Sequence, residues 1–465
     1  MTRALTISIA VLMLMAAVVQ ASEDSLYFGR FGLVHIYYDS PRPAKVVLFV
    51  SGDGGWNLGV VDMARSLASH DAMVVGIDIT HLLGELNKSN DKCSYPAGDF
   101  EELSKFIQKK YEYPEYTPPV LVGYSSGATL VYALLAQAPF NTFKGGMSLG
   151  FCPDLPVAKT FCYGIGLEWI KNPNKKGYSF LPAENLEVPW IALQGDIDQV
   201  CDPESTRSFV ARVKNASLLE LPKVGHGFSV ERNWMPQFME GFAQIASAKI
   251  ESPPPAENPE VKDLPLVEVG ASGPHRNILA IHVTGDGGWG VTDRGIAQSL
   301  SDHGISVIGI NSLKYFWRER TPDESGRDLQ RVLRHYLTAW KKDKIVLIGY
   351  SMGADVLPFM INRLSDDLRA RIELVALIGP SEKIDFKFHL TNWIGGSQSK
   401  SAYPTVPKIE KLRGLKILCF YGQEDEEAVC PDLDSALVHA LPLEGGHLVK
   451  SRFDSIVHEI LNNID

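Results

Sequence analysis

The chain has 465 residues, with 45 Lys and Arg against 55 Asp and Glu for a net charge of −10; 45% of the residues are hydrophobic and 22% charged. This ordinary globular composition excludes a disordered chain, a collagen-like repeat and a multi-span membrane protein. The acidic balance argues against nucleic acid as a partner, and at about 100–200 residues per domain the length predicts two or three domains.

Residues 1–21, MTRALTISIAVLMLMAAVVQA, set Arg3 before an uncharged apolar stretch from Ala4 to Val19. They end in Val19-Gln20-Ala21, which offers small residues on the near side of a cleavage site. The apolar run is shorter than the roughly 20 residues of a spanning helix, so the pattern predicts a cleaved secretory signal peptide and an exported, soluble mature chain. All six cysteines (Cys93, Cys152, Cys162, Cys201, Cys419, Cys430) follow it, an even count that suits an oxidising compartment. Cys419–Cys430 is the only pairing available within the second half, whereas pairing in the first half stays open. No CxxC occurs, so neither a dithiol redox centre nor a zinc site is indicated.

From residue 22 to 250, short apolar runs (VVLFVSG, MVVGIDI, PVLVGY, GGMSLGF, WIALQG) alternate with amphipathic stretches. Residues 251–264, ESPPPAENPEVKDL, are rich in proline and acid without periodicity and predict an exposed, semi-rigid linker. From 265 to 465 the alternation resumes. NILAIHVT, ISVIGINS, KIVLIGY, LVALIG and LKILCFYG read as strands buried on both faces, and DRGIAQSLSDHG and GRDLQRVLRHYLTAWKK read as helices. Four blocks recur in the same order: KVVLFVSGDGGW with RNILAIHVTGDGGW, PVLVGYSSGAT with KIVLIGYSMGAD, WIALQGDID with KILCFYGQED, and KVGHGF with EGGHLV. Their nearly constant displacement predicts a tandem duplication, each copy an α/β domain with a mostly parallel, doubly wound sheet.

Each copy carries Gly-x-Ser-x-Gly, at Ser125 and Ser351, between an apolar strand and a helix; Pro358 is expected to kink the second of these helices. A serine hydroxyl needs a base to take its proton and a carboxylate to orient the base. Asp198 and Asp425 each lie three residues after a glycine that ends a strand, and His226 and His447 follow in glycine-flanked loops. Asp196 and Glu424 are rival acids, but only the positions of Asp198 and Asp425 carry Asp in both copies. The expected catalytic sets are therefore Ser351, Asp425 and His447, with Ser125, Asp198 and His226 as the first-copy counterpart. The backbone N–H groups of Asp286 and Met352, and of Asp53 and Ser126, are placed to form oxyanion holes. An aspartate beside an oxyanion opposes the developing charge. Either Asp286 turns away to accept glycine N–H groups, or it binds a substrate ammonium group, to whose field Glu424, Glu426 and Glu427 would add. In the second copy Leu313-Lys314-Tyr315-Phe316-Trp317-Arg318-Glu319-Arg320 leaves the sheet on the active-site side. Trp317 and Arg318 are expected either to line the substrate pocket or to dip into a membrane interface. Segments containing Trp169 and Trp393 are expected to cap the two sites.

With these residues the chain resembles the VirJ/AcvB family of bacterial virulence-associated periplasmic proteins, over essentially its whole length. TGDGGW followed by GYSMGADVLPF carries the likeness beyond the general α/β-hydrolase pattern. The resemblance implies a periplasmic hydrolase that cleaves the aminoacyl ester of lysyl-phosphatidylglycerol at the membrane surface, releasing lysine and phosphatidylglycerol, with Ser351, Asp425 and His447 as the catalytic set. It also implies links to acid tolerance, virulence and type IV secretion, with secretion-system proteins as partners. Ester hydrolysis by such a set requires no cofactor and no metal.

Overall fold

A computed structural model describes residues 22–88, 93–139, 141–162, 166–173, 176–248, 260–272, 274–387, 402–425, 428–446 and 453–464. The predicted signal peptide (1–21), most of the linker, Trp393, Glu426, Glu427 and His447 lie outside these residues.

The duplication read from the sequence is visible in the topology. The first sheet runs Ser22–Phe28, Gly32–Tyr38, Ala72–Ile77, Lys45–Val50, Val120–Tyr124, Gly145–Leu149, Trp190–Gly195 and Ala216–Leu221. The second runs Leu266–Val269, Ser306–Ile310, Ile278–Val283, Lys344–Tyr350, Ile372–Ile378, Ile417–Gly422 and His439–Leu443. Without the first strand the two orders coincide. In both, the strand nearest the N-terminal edge pairs antiparallel and the rest pair in parallel. The central strands are apolar throughout because helices cover both faces, as in Lys45–Val50, where Val46 to Val50 are all buried. The helix Ser126–Gln137 is buried almost all round, and so is Met352–Ile361, which contains Pro358. Between Ser306–Ile310 and Lys344–Tyr350, the helix Pro322–Ala339 shows the ordinary amphipathic logic. Thr321 and Glu324 form a capping box, Pro322 starts the helix, and Leu329, Val332, Leu333 and Tyr336 face the core.

The described end of the linker departs from expectation. Val261 is fully buried and Leu264 nearly so, both in the core of the second half, while Asp263 pairs with Arg331. The acidic composition hid two apolar anchors, and the second half begins by residue 261. Three disulfides form: Cys419–Cys430 as expected, with Cys93–Cys162 and Cys152–Cys201 in the first half. Among the described residues no helix is long and apolar enough to cross a membrane.

The halves touch through the aromatic segment of the second. Trp317 is 2% exposed, its indole N–H donates to the carbonyl of Tyr113 at 2.9 Å, and its ring lies 5.4 Å from that of Tyr116. Lys109 sits 4.1 Å over the same ring and donates to the Trp317 carbonyl. Arg318 donates to the carbonyl of Pro114, and Arg294 pairs with Glu187.

The helix Pro96–Lys110 carries two carboxyl groups that burial pushes up, Asp99 to about 6 against the opposing pull of Arg30, and Glu102 to about 7 with Asp99 adding to the effect. A folded-state pKa above the ordinary one means stability that is complete below about pH 4.5 and lost as the pH rises through 7. Glu102→Gln is therefore expected to raise the melting temperature at pH 8 by about 2 °C and to leave it nearly unchanged at pH 4.5. A melting difference equal at both pH values would contradict this.

Candidate active site

Each serine sits on an elbow between strand and helix. Val120–Tyr124 leads through Ser125 directly into Ser126–Gln137, and Lys344–Tyr350 leads through Ser351 into Met352–Ile361. Ser125 has φ 55° and ψ −121°, and Ser351 has φ 50° and ψ −118°. A non-glycine residue in this region is strained, and the surrounding bonds hold it there. The N–H of Ser125 donates to the carbonyl of Leu149 at 2.9 Å, and that of Ser351 to the carbonyl of Ile378 at 2.8 Å. At each elbow the first helical N–H groups lack intrahelical partners and face the region where negative charge would develop.

In the first half the three side chains form a relay. Ser125 Oγ lies 2.9 Å from His226 Nε2, and His226 Nδ1 lies 2.9 Å from Asp198 Oδ2. The carboxylate favours the tautomer protonated at Nδ1, which leaves Nε2 to accept the serine proton. The Asp198 side chain is fully buried and that of His226 is 17% exposed. Asp198 accepts four bonds in all. Oδ1 takes the N–H groups of Val200 and Cys201, and Oδ2 takes Gln194 Nε2 together with the histidine. The rival Asp196 is used elsewhere, accepting the N–H of Lys223. The hydroxyl of Tyr124 donates to the carbonyl of His226 at 2.9 Å and fixes its loop. Sequence reading missed Tyr124 and Gln194; the tyrosine could have been found, since one precedes the serine in both copies.

Asp198, Cys201 and His226 also bring an oxygen, a sulfur and a nitrogen within 4.8 Å of one another. The sulfur belongs to the Cys152–Cys201 disulfide and so lacks the thiolate that a metal requires, while the other two groups bond each other. The cluster fits a braced Asp–His pair rather than a metal centre.

The second half repeats this frame. The N–H of Asp425 donates to the Gly422 carbonyl at 3.1 Å, as Asp198 donates to Gly195 at 3.3 Å. The N–H of Glu424 donates to the Gly445 carbonyl at 3.0 Å, as Ile197 donates to Val224 at 3.2 Å, two residues before each histidine. The exposed Glu424 thus takes the position of Ile197 and is not the counterpart of Asp198. The Cys419–Cys430 bridge closes over the Asp425 loop.

The GDGGW loops differ. Asp53 does not turn to glycine N–H groups; its Oδ1 accepts the hydroxyl of Ser126 at 2.6 Å. The residue corresponding to Ser126 is Met352, which has no hydroxyl to offer Asp286. The charge of Asp286 instead opposes ionisation of Asp355, a fully buried carboxyl four residues after Ser351. Burial, more than Asp286, raises Asp355 well above the carboxylate range, although it accepts the N–H of Ser381 at 2.6 Å. The first half has Thr129 at this place, bonded to the carbonyl of Cys152.

Trp317 and Arg318 require a correction. Both contact the first half, with the indole buried and its N–H bonded, so Trp317 neither dips into a membrane interface nor offers its face to a substrate. The segment containing Trp169, expected as a cap, forms a small three-stranded sheet in which Trp169 is half-buried and donates to the carbonyl of Phe161.

Comparison with solved structures finds an α/β serine hydrolase without a lid from Xanthomonas campestris, at 18% identity over 50% of this chain and 97% of that one, with a TM-score of 0.32. It also finds the esterase domain of a Rhodothermus marinus protein, at 16% identity over 49% of this chain and 97% of that one, with a TM-score of 0.32. A search of curated proteins finds no match. The family described as bacterial virulence protein (VirJ) matches residues 44–160 and 277–465. These segments reach into both halves and take in Ser125, Ser351, Asp425 and both GDGGW loops, and together they span more than half of the chain: the protein belongs to the VirJ family.

Proposed function

We propose that the protein is a serine ester hydrolase, exported to the periplasm, whose second half cleaves the aminoacyl ester of lysyl-phosphatidylglycerol. The observation that carries the hydrolase reading is the Ser125–His226–Asp198 relay, with both serines held in the same strained elbow. In each half the serine oxygen attacks the ester carbonyl as its proton passes to the histidine. The N–H groups of Ser126 and Asp53, or of Met352 and Asp286, receive the oxyanion. The histidine then protonates the leaving alcohol, and water releases the acid from the acyl-serine. What favours an ammonium-bearing acyl group in the second half is its oxyanion loop. Asp286 in that loop and the exposed Glu424 in the Asp425 loop supply two carboxylates to attract such a group.

A fluorophosphonate probe, followed by peptide mapping, is expected to label both Ser125 and Ser351. Lysine release from lysyl-phosphatidylglycerol vesicles is expected to exceed hydrolysis of p-nitrophenyl butyrate by the same preparation. Label on neither serine would favour an exported assembly factor for secretion machinery. Label with equal turnover of both esters would leave a general esterase and remove the lysyl assignment.

A further inference from the structure

The two GDGGW loops rest on corresponding segments by the same kind of contact, but those segments are anchored differently. In the first half the mounting is internal. The N–H of Ile79 donates to Ser51 Oγ, the N–H of Trp56 donates to Asp78 Oδ2, and the ten-residue helix Ile79–Lys88 buries Leu82, Leu83 and Leu86 in its own core. In the second half the loop rests on residues 311–313. Ser312 donates its N–H to Thr284 Oγ1 at 2.9 Å and its hydroxyl to the Thr284 carbonyl at 2.6 Å. Gly288, at φ 80°, lies so close that an added Cβ would stand 2.9 Å from Asn311 Oδ1 and 3.2 Å from Leu313 Cβ. The helix that follows, Ser312–Tyr315, is only four residues long. Tyr315 and Phe316 enter the core of the second half, but Leu313 and Trp317 cluster with Tyr116 of the first. The socket that receives Trp317 is itself held by Gln108, whose side chain bonds both the N–H and the carbonyl of Thr117 while its own carbonyl takes the N–H of Tyr113.

We propose that Trp317 is a positioning residue. Anchored in the first half, it fixes the segment 311–317 on which the loop 284–288 rests, and so ties turnover at Ser351 to the fold of the first half, though not to its serine. This rests on the hydrolase reading. A displacement of about 1 Å in an oxyanion donor is enough to slow the chemical step by up to about 100-fold without changing how the ester first binds.

The test uses the full chain carrying Ser125→Ala, so that only Ser351 turns over, with p-nitrophenyl acetate as substrate and fluorophosphonate labelling of Ser351 as a second readout. Trp317→Ala is expected to lower kcat about tenfold or more with KM within about twofold. Trp317→Phe, which keeps a ring in the socket, is expected to recover most of the loss. Tyr116→Ala, made from the other side of the contact, is expected to repeat the kcat-selective defect while the protein still melts cooperatively. Unchanged kcat in both alanine variants overturns the proposal, as does a loss in which KM rises in step or phenylalanine rescues nothing. A Ser125→Ala parent with neither label nor turnover sinks the hydrolase reading of this half, and the positioning role with it; a labelled parent with indifferent variants sinks the positioning role alone.

Discussion

In full-length protein carrying Ser351→Ala, changing Ser125 to Ala is expected to lower ester hydrolysis by about a million-fold, and changing Asp198 to Asn by about 10⁴-fold. The second effect follows from four donors converging on one carboxylate: the N–H groups of Val200 and Cys201, Gln194 Nε2 and His226 Nδ1. An asparagine must turn its own NH₂ towards two of them. If it faces His226, the ring is driven to the other tautomer, with the proton on Nε2 beside Ser125, and it can no longer act as the base. If it faces Val200 and Cys201, two backbone donors lose their acceptor in a buried site and the acid loop shifts. Single-turnover kinetics with a p-nitrophenyl ester separate the acylation step from the rest. Retention of more than a tenth of the parent rate in the Asn variant would show that Asp198 does not orient the base.

Gly353→Ala is expected to destabilise the second half by about 3 kcal/mol or more, a value at the upper end for single substitutions. A Cβ there would lie 2.0 Å from the carbonyl oxygen of Val283, the last residue of the strand that leads into the GDGGW loop, and 2.7 Å from that of Thr284, the residue after it. Gly127 makes the same approach to Val50 and Ser51 at 2.4 Å. In each half the elbow and the strand end before the GDGGW loop are therefore pressed together at distances that only glycine permits. The melting temperature should fall and labelling of Ser351 should be lost while labelling of Ser125 persists. Unaltered melting and labelling of Ser351 would show that the elbow has slack to move.

Much of this was legible before the fold was known, and for identifiable reasons. Strands buried on both faces write themselves as continuous apolar runs, and a duplication writes everything twice, so Ser125, Asp198 and His226 could be matched with their counterparts in order. Repetition also separated Asp198 from Asp196, a choice the hydrogen bonds bear out in the first half. Edge elements were harder to read. Ser22–Phe28 is mostly exposed and Ala216–Leu221 only partly covered, so neither carries a strong pattern. Four cysteines allow three pairings, and spacing does not choose among them. The role of Trp317 was hidden for a different reason. An aromatic ring beside cations describes a pocket wall, a membrane anchor and a buried contact equally well, and the deciding partner, Tyr113, lies 204 positions away. Asp355 is likewise invisible to a motif search, because nothing in its neighbourhood in the chain announces that it is buried. It emerges only when the helix after Ser351 is packed against Ser381.

The socket for Trp317 has a bearing on time as well as place. The chain emerges N-terminus first, and the first half, whose last helix ends at Ser247, is complete well before Trp317 follows. The residues that receive the indole, Lys109 to Tyr116, can then be folded and waiting. The later half then completes itself against a surface that already exists, and a chain whose earlier half folds late would present Trp317 with nowhere to go.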